Sequence, residues 1–155
     1  MTDELDTVEA LAQISFVVQG TLEHRASEHG ISLVQTRLLA ILRDRKPTMN
    51  ELALLLGLDK SSTSGLVDRA QRRGLVRRVP SQLDRRSVRV RLTEQGRLLV
   101  QVVTSAFADD VAAMLEPLSA EGRAALIGYV SEVLQAHTAT HGVQFRTTAT
   151  RQSGR

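Results

Sequence analysis

Basic side chains are concentrated in one segment of this 155-residue chain, between Asp59 and Arg91. The segment holds ten lysines and arginines against three aspartates, which gives it a net charge of +7. Because the whole chain carries +3, the remainder carries −4. A positive charge confined to one part of an otherwise acidic protein favours contact with a polyanion such as nucleic acid. Whether these side chains bind a nucleic acid or simply form a solvated surface depends on the helices and strands that carry them.

A helix is predicted from Lys60 to Arg73, and it carries the first basic residues of this segment. At about 100° per residue, one side of the helix is apolar and is expected to pack on the core, through Thr63, Leu66, Val67 and Ala70. The opposite side combines small residues with charged ones, namely Ser61, Ser64, Gly65, Asp68 and Arg72, with Arg69 at its edge. Small side chains allow a helix to approach base edges, and basic side chains reach phosphates.

The segment before this helix predicts a second, shorter helix and a tight turn. Thr48 and Glu51 have the spacing of a capping box, and Gly57 ends the helix six residues after Glu51. Asp59 is a favourable N-cap for the next helix, which Gly74 closes. Two helices joined by about three or four residues that include glycine are typical of a helix-turn-helix.

A different periodicity follows, over Leu75–Pro80 and Ser87–Leu92. Alternation of apolar and polar residues in the second run indicates a strand with one wet face. The polar stretch between the runs is too long for a two-residue turn, so we predict a β-hairpin that forms a wing. An arginine at such a tip suits the narrow, negative minor groove of DNA. We interpret Asp84 as a brace that pairs with a nearby arginine.

Long helical segments flank this lobe on both sides. The first runs from Asp3 to about His29, and the second from Thr93 to about Leu115, before Pro117 and a last helix that begins at Ser119. We expect the second to bury one stripe, made of Leu98, Leu99, Val102, Val103, Ala106, Val111 and Met114. Such long apolar stripes exceed what a small lobe can cover, which favours a second copy of the chain as partner.

These elements predict a mainly α protein with a small β-hairpin wing. A winged helix-turn-helix lobe covers residues 30–95 and lies between dimerisation helices at 3–29 and 94–140. The first helix of this lobe begins with a capping box formed by Ser32 and Gln35. Together they form one domain over residues 1–141. The last residues, 142–155, lack apolar periodicity, and we expect a disordered tail.

Composition excludes several other classes of protein. Cysteine is absent, which removes disulfides, thiolate metal sites and thiol redox sensing. No apolar run is long enough to span a membrane, and the acidic N-terminal residues are unlike a secretory signal, so we expect a cytoplasmic protein. No glycine-rich phosphate loop or compact histidine set points to an enzyme; His137 and His141, four residues apart, are at best a weak metal pair. We therefore predict no metal and no cofactor.

The residues from Glu51 to Gly96 closely resemble MarR-type transcriptional regulators. The matching motifs are Glu51-Leu52-Ala53, Gly57-Leu58-Asp59-Lys60-Ser61, Leu66-Val67-Asp68-Arg69, Arg73-Gly74-Leu75-Val76, Asp84-Arg85-Arg86 and Leu92-Thr93-Glu94-x-Gly96. The flanking helices match in placement and length, so the resemblance extends over about Leu5 to His137.

The resemblance implies a two-fold homodimer whose winged lobes face successive major grooves of double-stranded DNA. It also implies regulation of transcription, which we expect to be repression, at a near-palindromic operator. Taken with the charge and the helix face, it places DNA contacts at Lys60, Ser61, Ser62, Ser64, Arg69, Arg72, Asp84, Arg85, Arg86 and Arg89. Arg86 is the implied minor-groove arginine. The resemblance further implies a small aromatic or phenolic effector, for which Phe16, His24 and Arg43 are the candidates by position.

One departure from the family concerns how the operator is read. Many members carry an arginine or another long polar residue where this chain has Gly65. Specificity then depends on Arg69 or Arg72, on the serines, or on DNA shape, and the sequence does not choose among these. Two other functions stay open, an architectural DNA-binding protein without an effector and a helical protein-interaction module whose basic hairpin is incidental.

Overall fold

The computed structural model describes residues 6–81 and 87–141, with the side chains of residues 139–141 left aside. The chain divides into two compact units, Met1–Met114 and Leu115–Arg155. The helices and strands of the first unit are α1 (Thr7–Ser27), α2 (Leu33–Asp44), α3 (Met49–Leu56), α4 (Lys60–Arg72), β1 (Val76–Pro80), β2 (Val88–Leu92) and α5 (Glu94–Met114). The second unit contains α6 (Ala120–His141). This architecture confirms the predicted fold class.

One apolar core holds the first unit together. Its fully buried side chains come from α2, α3, α4 and the hairpin, and include Leu38, Leu39, Leu52, Leu66, Val67, Val76 and Val90. Helices α1 and α5 close the same core with Ala26, Val100 and Val103. The burial of apolar surface is the dominant favourable term in folding. It therefore fixes α3 and α4 against the hairpin, with the predicted inner face of α4 turned into the core.

Helix starts follow the predicted capping chemistry. The Ser32 and Thr48 side chains each accept a hydrogen bond from the backbone three residues on, and Gln35 and Glu51 each reach back to the cap residue's own N–H. Between α3 and α4, Gly57 adopts φ +66°, a left-handed conformation that glycine reaches without steric cost. The turn therefore stays short, and the helix-turn-helix is confirmed.

The hairpin pairs β1 with β2 antiparallel, from Val76 opposite Leu92 to Pro80 opposite Val88. Val90 and Leu92 are buried while Arg89 and Arg91 are half exposed, which follows the predicted alternation, but Val88 at the start of the strand is 40% exposed. Val90 also donates its backbone N–H to the carbonyl oxygen of Pro47 at 2.9 Å. This bond ties the hairpin to the entrance of α3, so the wing and the helix-turn-helix form one body.

The start of α5 is fitted closely against the hairpin. Thr93 donates its N–H to the Leu75 carbonyl at 3.0 Å and its hydroxyl to the Gly74 carbonyl at 2.5 Å. The same hydroxyl accepts the N–H of Gly96 at 3.0 Å. Gly96 packs so near the hairpin that an added Cβ would stand 2.0 Å from the Leu75 oxygen. Glycine at this position is what allows α5 to pack so closely on the hairpin.

A salt bridge joins α1 to α5. The guanidinium of Arg25 donates two hydrogen bonds to the carboxylate of Asp110, both 2.7 Å long, and a longer one to Glu28. The bonds from Arg25 hold the pKa of the Asp110 carboxyl below its ordinary value. The residues lie 85 positions apart in the chain, and their pairing was not predicted from the sequence.

We expect Asp110→Asn to lower the free energy of unfolding at neutral pH, because the ionised carboxylate is the partner that Arg25 needs. A carboxyl whose pKa is depressed on folding stabilises the protein above its unfolded pKa, ordinarily 3.8. That contribution is lost as the pH falls through the lower, folded-state pKa. Urea unfolding across a pH series should therefore show a deficit for Asp110→Asn that is constant above about pH 5 and vanishes in acid. A deficit independent of pH would contradict this assignment.

The predicted inner stripe of α5 is only partly correct. Val103 is buried, as is Val100, but Leu98 is 55% exposed and Val102 is 50% exposed. Only one narrow side of α5 packs on the first unit's core, because α1 and α2 cover only that side of the helix. In the second unit, the described side chains of α6 include no buried residue. Within the described ranges, no helix is both long and apolar enough to cross a bilayer.

Candidate nucleic-acid interface

Helix α4 is held by its inner face and open on its outer one. Thr63, Leu66, Val67 and Ala70 are buried as predicted. On the outer side, Lys60, Ser61, Ser62, Arg69 and Arg72 are exposed, and Ser64 and Gly65 are half exposed. Their side chains are therefore presented on a rigid support, which is the arrangement that a helix entering a DNA groove requires.

The N-terminus of α4 is organised by Asp59. Its carboxylate accepts the backbone N–H of Ser62 at 2.8 Å and the Ser62 hydroxyl at 2.6 Å. These two hydrogen bonds, the hydroxyl's first, lower the pKa of the Asp59 carboxyl. Because the Ser62 hydrogen is used in the cap, only the oxygen of this hydroxyl remains for DNA. The side-chain hydroxyls of Ser61 and Ser64 form no hydrogen bond within the described part of the chain.

An ionic contact fixes the angle between α4 and the hairpin. Arg78 on β1 donates to the carboxylate of Asp68 at 2.7 Å and to the amide oxygen of Gln71 at 2.9 Å. The sequence placed Asp68 on the wet face of α4, where a carboxylate would repel phosphates. Paired with Arg78, it positions the helix relative to the wing. The sequence indicated this pairing only by an acidic residue, Asp68, and a basic residue, Arg78, on two consecutive elements.

Two more arginines of the basic segment serve the protein itself. Arg73 donates to the carbonyl oxygens of Gly30 at 2.6 Å and His29 at 3.0 Å, which caps the chain leaving α1. Arg89, predicted to contact DNA, donates to the Lys46 carbonyl at 2.7 Å and the Ser81 hydroxyl at 3.4 Å. These bonds give Arg89 a bracing role at the base of the wing. A direct DNA contact by Arg89 stays a prediction.

Four further basic residues of this segment are exposed and available, whereas Arg91 on β2 is half-buried. In the part of the chain that the structure describes, the side chains of Lys60, Arg69, Arg72 and Arg77 form no hydrogen bond or ion pair. Three lie on the outer face of α4 and one on β1. The predicted wing-tip residues, Asp84, Arg85 and Arg86, lie outside the described residues. The hairpin is described up to Ser81, whose N–H donates to the Ser87 carbonyl at 2.8 Å.

The three predicted effector residues fall into two different concavities. Phe16 and His24 line an open groove of about 550 Å³ between α1 and α5, beside the Arg25–Asp110 pair. Arg43 borders a smaller cavity of about 190 Å³ between α1, α2 and α5. The structure therefore brings Phe16 and His24 together and places Arg43 elsewhere. Among the described residues, no group of three or more potential metal ligands is present.

The smaller cavity, which we call the α2–α5 cavity, was predicted from the sequence only through Arg43. Its walls are almost entirely apolar and come from three helices, with Leu22, Ile31, Leu39, Ala40, Val103 and Phe107 among them. The polar groups are Arg43, Thr36 and Thr104. Arg43 bonds to Asp44 at 2.9 and 3.0 Å, which raises the pKa of Arg43 and lowers that of Asp44. The cavity is suited to a small apolar molecule with a polar end.

Comparison with known proteins agrees with this geometry. The family model described as "MarR family" matches residues 29–87. The HTH-type transcriptional regulator PecS of Dickeya dadantii (strain 3937) is 28% identical over 131 residues, 80% of this chain and 79% of PecS. That alignment extends well beyond the winged lobe, into the flanking helices.

Solved structures share the fold over nearly their whole length. RV1404 from Mycobacterium tuberculosis superposes with a TM-score of 0.74 at 27% identity, covering 88% of this chain and 97% of that protein. A mutant of S. aureus MepR, bound to an oligodeoxyribonucleotide, has a TM-score of 0.62 at 22% identity and covers 86% of this chain and 99% of that protein. The second likeness concerns the fold alone.

Proposed function

We propose that the chain is a winged-helix, DNA-binding transcriptional repressor of the MarR type that binds a near-palindromic operator as a homodimer. The match of the MarR family model over residues 29–87 and the likeness to PecS and RV1404 support this proposal. The observation that carries this proposal is the outer face of α4. That face combines small hydroxyl residues and a glycine with arginines that have no partner in the described chain. Its inner face is locked in the core, so little ordering is needed on binding.

In this proposal the first turns of α4 enter the major groove. Ser61 and Ser64 lie towards the base edges, and Lys60 and Arg72 lie towards backbone phosphates on either side. The oxygen of Ser62 and the bracing Arg89 add weaker contacts at the edge of this surface. The wing residues Asp84, Arg85 and Arg86 are proposed from the sequence as the minor-groove contact.

A second copy of the chain is the proposed partner of the terminal helices. Large apolar side chains stand exposed along α1, among them Val8, Leu11, Ile14, Phe16 and Val17. The described part of α6 is equally apolar outside, with Leu126, Ile127, Tyr129, Val130, Val133 and Leu134. Apolar patches of this extent mark interaction sites, and a stable interface needs roughly 800 Å² from each partner. We propose that residues 1–141 of each copy are one domain, with residues 30–95 as its DNA-binding lobe.

We assign the effector to the α2–α5 cavity. Cavities on the order of 150 Å³ hold one benzene ring, so about 190 Å³ suits a small aromatic compound. The Arg43 guanidinium at the border favours a carboxylate or phenolate end. Because the cavity walls belong to both α2 and α5, a bound ring would change how the lobe sits on α5, and with it the operator affinity. Phe16 and His24, in the other groove, belong to the proposed dimer surface.

Selection from a random DNA pool followed by a salt titration tests the proposal. We expect one near-palindromic sequence, with two half-sites about one helical turn apart. The affinity should fall with salt at a slope of about 0.9 for each phosphate contact. A steep salt slope without sequence preference would favour an architectural protein instead. No affinity for DNA at low salt would leave only a protein-interaction module.

A further inference from the structure

The outer face of α4 contains an unusual pairing of a glycine and an arginine. Gly65 and Arg69 are four residues apart, so they lie on the same face, one turn from each other. A Cβ built on Gly65 would stand 3.4 Å from the Nη1 atom of Arg69. The Arg69 guanidinium therefore folds back towards the helix N-terminus and lies directly over the position where a side chain at residue 65 would begin.

This arrangement follows from the geometry of the helix. Side chains in an α-helix point towards the N-terminus and cover the preceding turn. An alanine Cβ at residue 65 would just touch the guanidinium, and a longer side chain would compete with it for the same space. Glycine leaves it open, although glycine costs stability in the middle of a helix.

The guanidinium has no structural use within the described residues. Arg73 and Arg78, which follow it in sequence, are both bonded internally. Arg69 is exposed, and its side chain forms no hydrogen bond or ion pair with any described residue. All of its N–H donors are consequently available to a ligand. They project from the edge of the outer face that carries Ser61 and Gly65, where base edges are expected.

We propose that Arg69 is the residue that determines operator specificity, by donating two hydrogen bonds to O6 and N7 of one guanine in each half-site, in the space that Gly65 leaves open. The proposal rests on the proposed function, because it assigns a role within the same DNA-binding face. The glycine contributes in a second way, since a helix without a side chain there can lie closer to the groove floor. A bidentate contact from arginine to guanine discriminates against other bases by about 5- to 150-fold.

The test uses the full-length protein and the operator selected from a random pool. Binding is measured on that operator and on variants with each base pair replaced in turn, for the wild type, Arg69→Ala and Arg69→Lys. We expect Arg69→Ala to reduce the preference at one G·C pair per half-site by about 5- to 150-fold, and Arg69→Lys to reduce it less, because lysine can also donate to O6 and N7 of guanine. Arg69→Lys should keep the salt slope, because it keeps the charge. Preferences at the other positions should stay unchanged.

Arg72→Ala is the contrasting variant, since it removes an exposed arginine about one turn closer to the end of α4. It should weaken binding equally on all sequences and lower the salt slope by about 1. If Arg69→Ala behaves in that way too, or changes nothing, Arg69 does not read a base, and the proposed function still stands. If the wild type shows no sequence preference, both proposals are wrong. Thermal unfolding checks that each exposed-site variant is folded.

Discussion

Gly96→Ala is expected to destabilise the first unit by about 3 kcal/mol, the upper end of the cost that overpacking typically has, because the contact is with rigid backbone. The new methyl group would stand 2.0 Å from the Leu75 carbonyl oxygen and 3.2 Å from the Leu92 side chain. The Leu75 oxygen is backbone and accepts the N–H of Thr93, so it cannot rotate away. Relief requires α5 to move off the hairpin, which breaks the Thr93 bonds and opens the core around Val100.

Chemical denaturation at a fixed protein concentration measures this effect, since the stability of a dimer depends on concentration. Gly65→Ala is the matched control, because it makes the same change within a helix but meets only the flexible end of Arg69. It should stabilise the protein by roughly 0.5–1 kcal/mol. If Gly96→Ala is as stable as the control, the close packing of α5 on the hairpin is wrong.

Ile127→Glu is expected to convert the proposed dimer to a monomer and to weaken binding to the proposed operator by about 100-fold or more. Ile127 is 62% exposed in the single chain, so a carboxylate there is solvated in the monomer. In the proposed dimer the same group would be buried without a partner, which is strongly unfavourable. A monomer engages one half-site at a time and loses the 10²- to 10⁴-fold gain of linked binding, in order of magnitude.

Sedimentation velocity and operator titration of the same samples test this expectation. Leu54→Glu provides the control, because Leu54 is also apolar and 79% exposed but belongs to α3 and not to a terminal helix. It should remain dimeric. An Ile127→Glu protein that is still a dimer would exclude this face of α6 from the interface. A monomer that binds the operator at full strength would show instead that dimerisation is not needed for DNA binding.

Much of the first unit was predictable because its signals are local. Capping boxes at Ser32 and Thr48, the left-handed turn at Gly57 and the alternation along β2 each depend on residues a few positions apart. Such features are determined by backbone hydrogen bonding and rotamer preference. The inner face of α4 was equally accessible, since a period of 3.6 residues assigns it without knowledge of the partner elements.

Contacts between distant segments were not predictable in the same way. Arg25 could have paired with any acid of the chain, and only the packing of α1 on α5 brings it to Asp110. The same packing turns Leu98 and Val102 of α5 outward, where periodicity had placed them inside. It also separates Arg43 from Phe16 and His24, which no spacing in the sequence could indicate.

For the basic segment, what the sequence determines and what the tertiary structure determines can be separated clearly. The sequence by itself determined that its positive charge is carried by a helix-turn-helix and a hairpin, because charge, caps and periodicity are properties of neighbouring residues. Only the tertiary structure decided how each arginine is used. Arg73, Arg78 and Arg89 are bonded within the protein, whereas Arg69 lies open over Gly65. The physical reason is that a guanidinium bonds to whichever acceptors the fold brings within about 3 Å, and the fold leaves none beside Arg69 among the described residues.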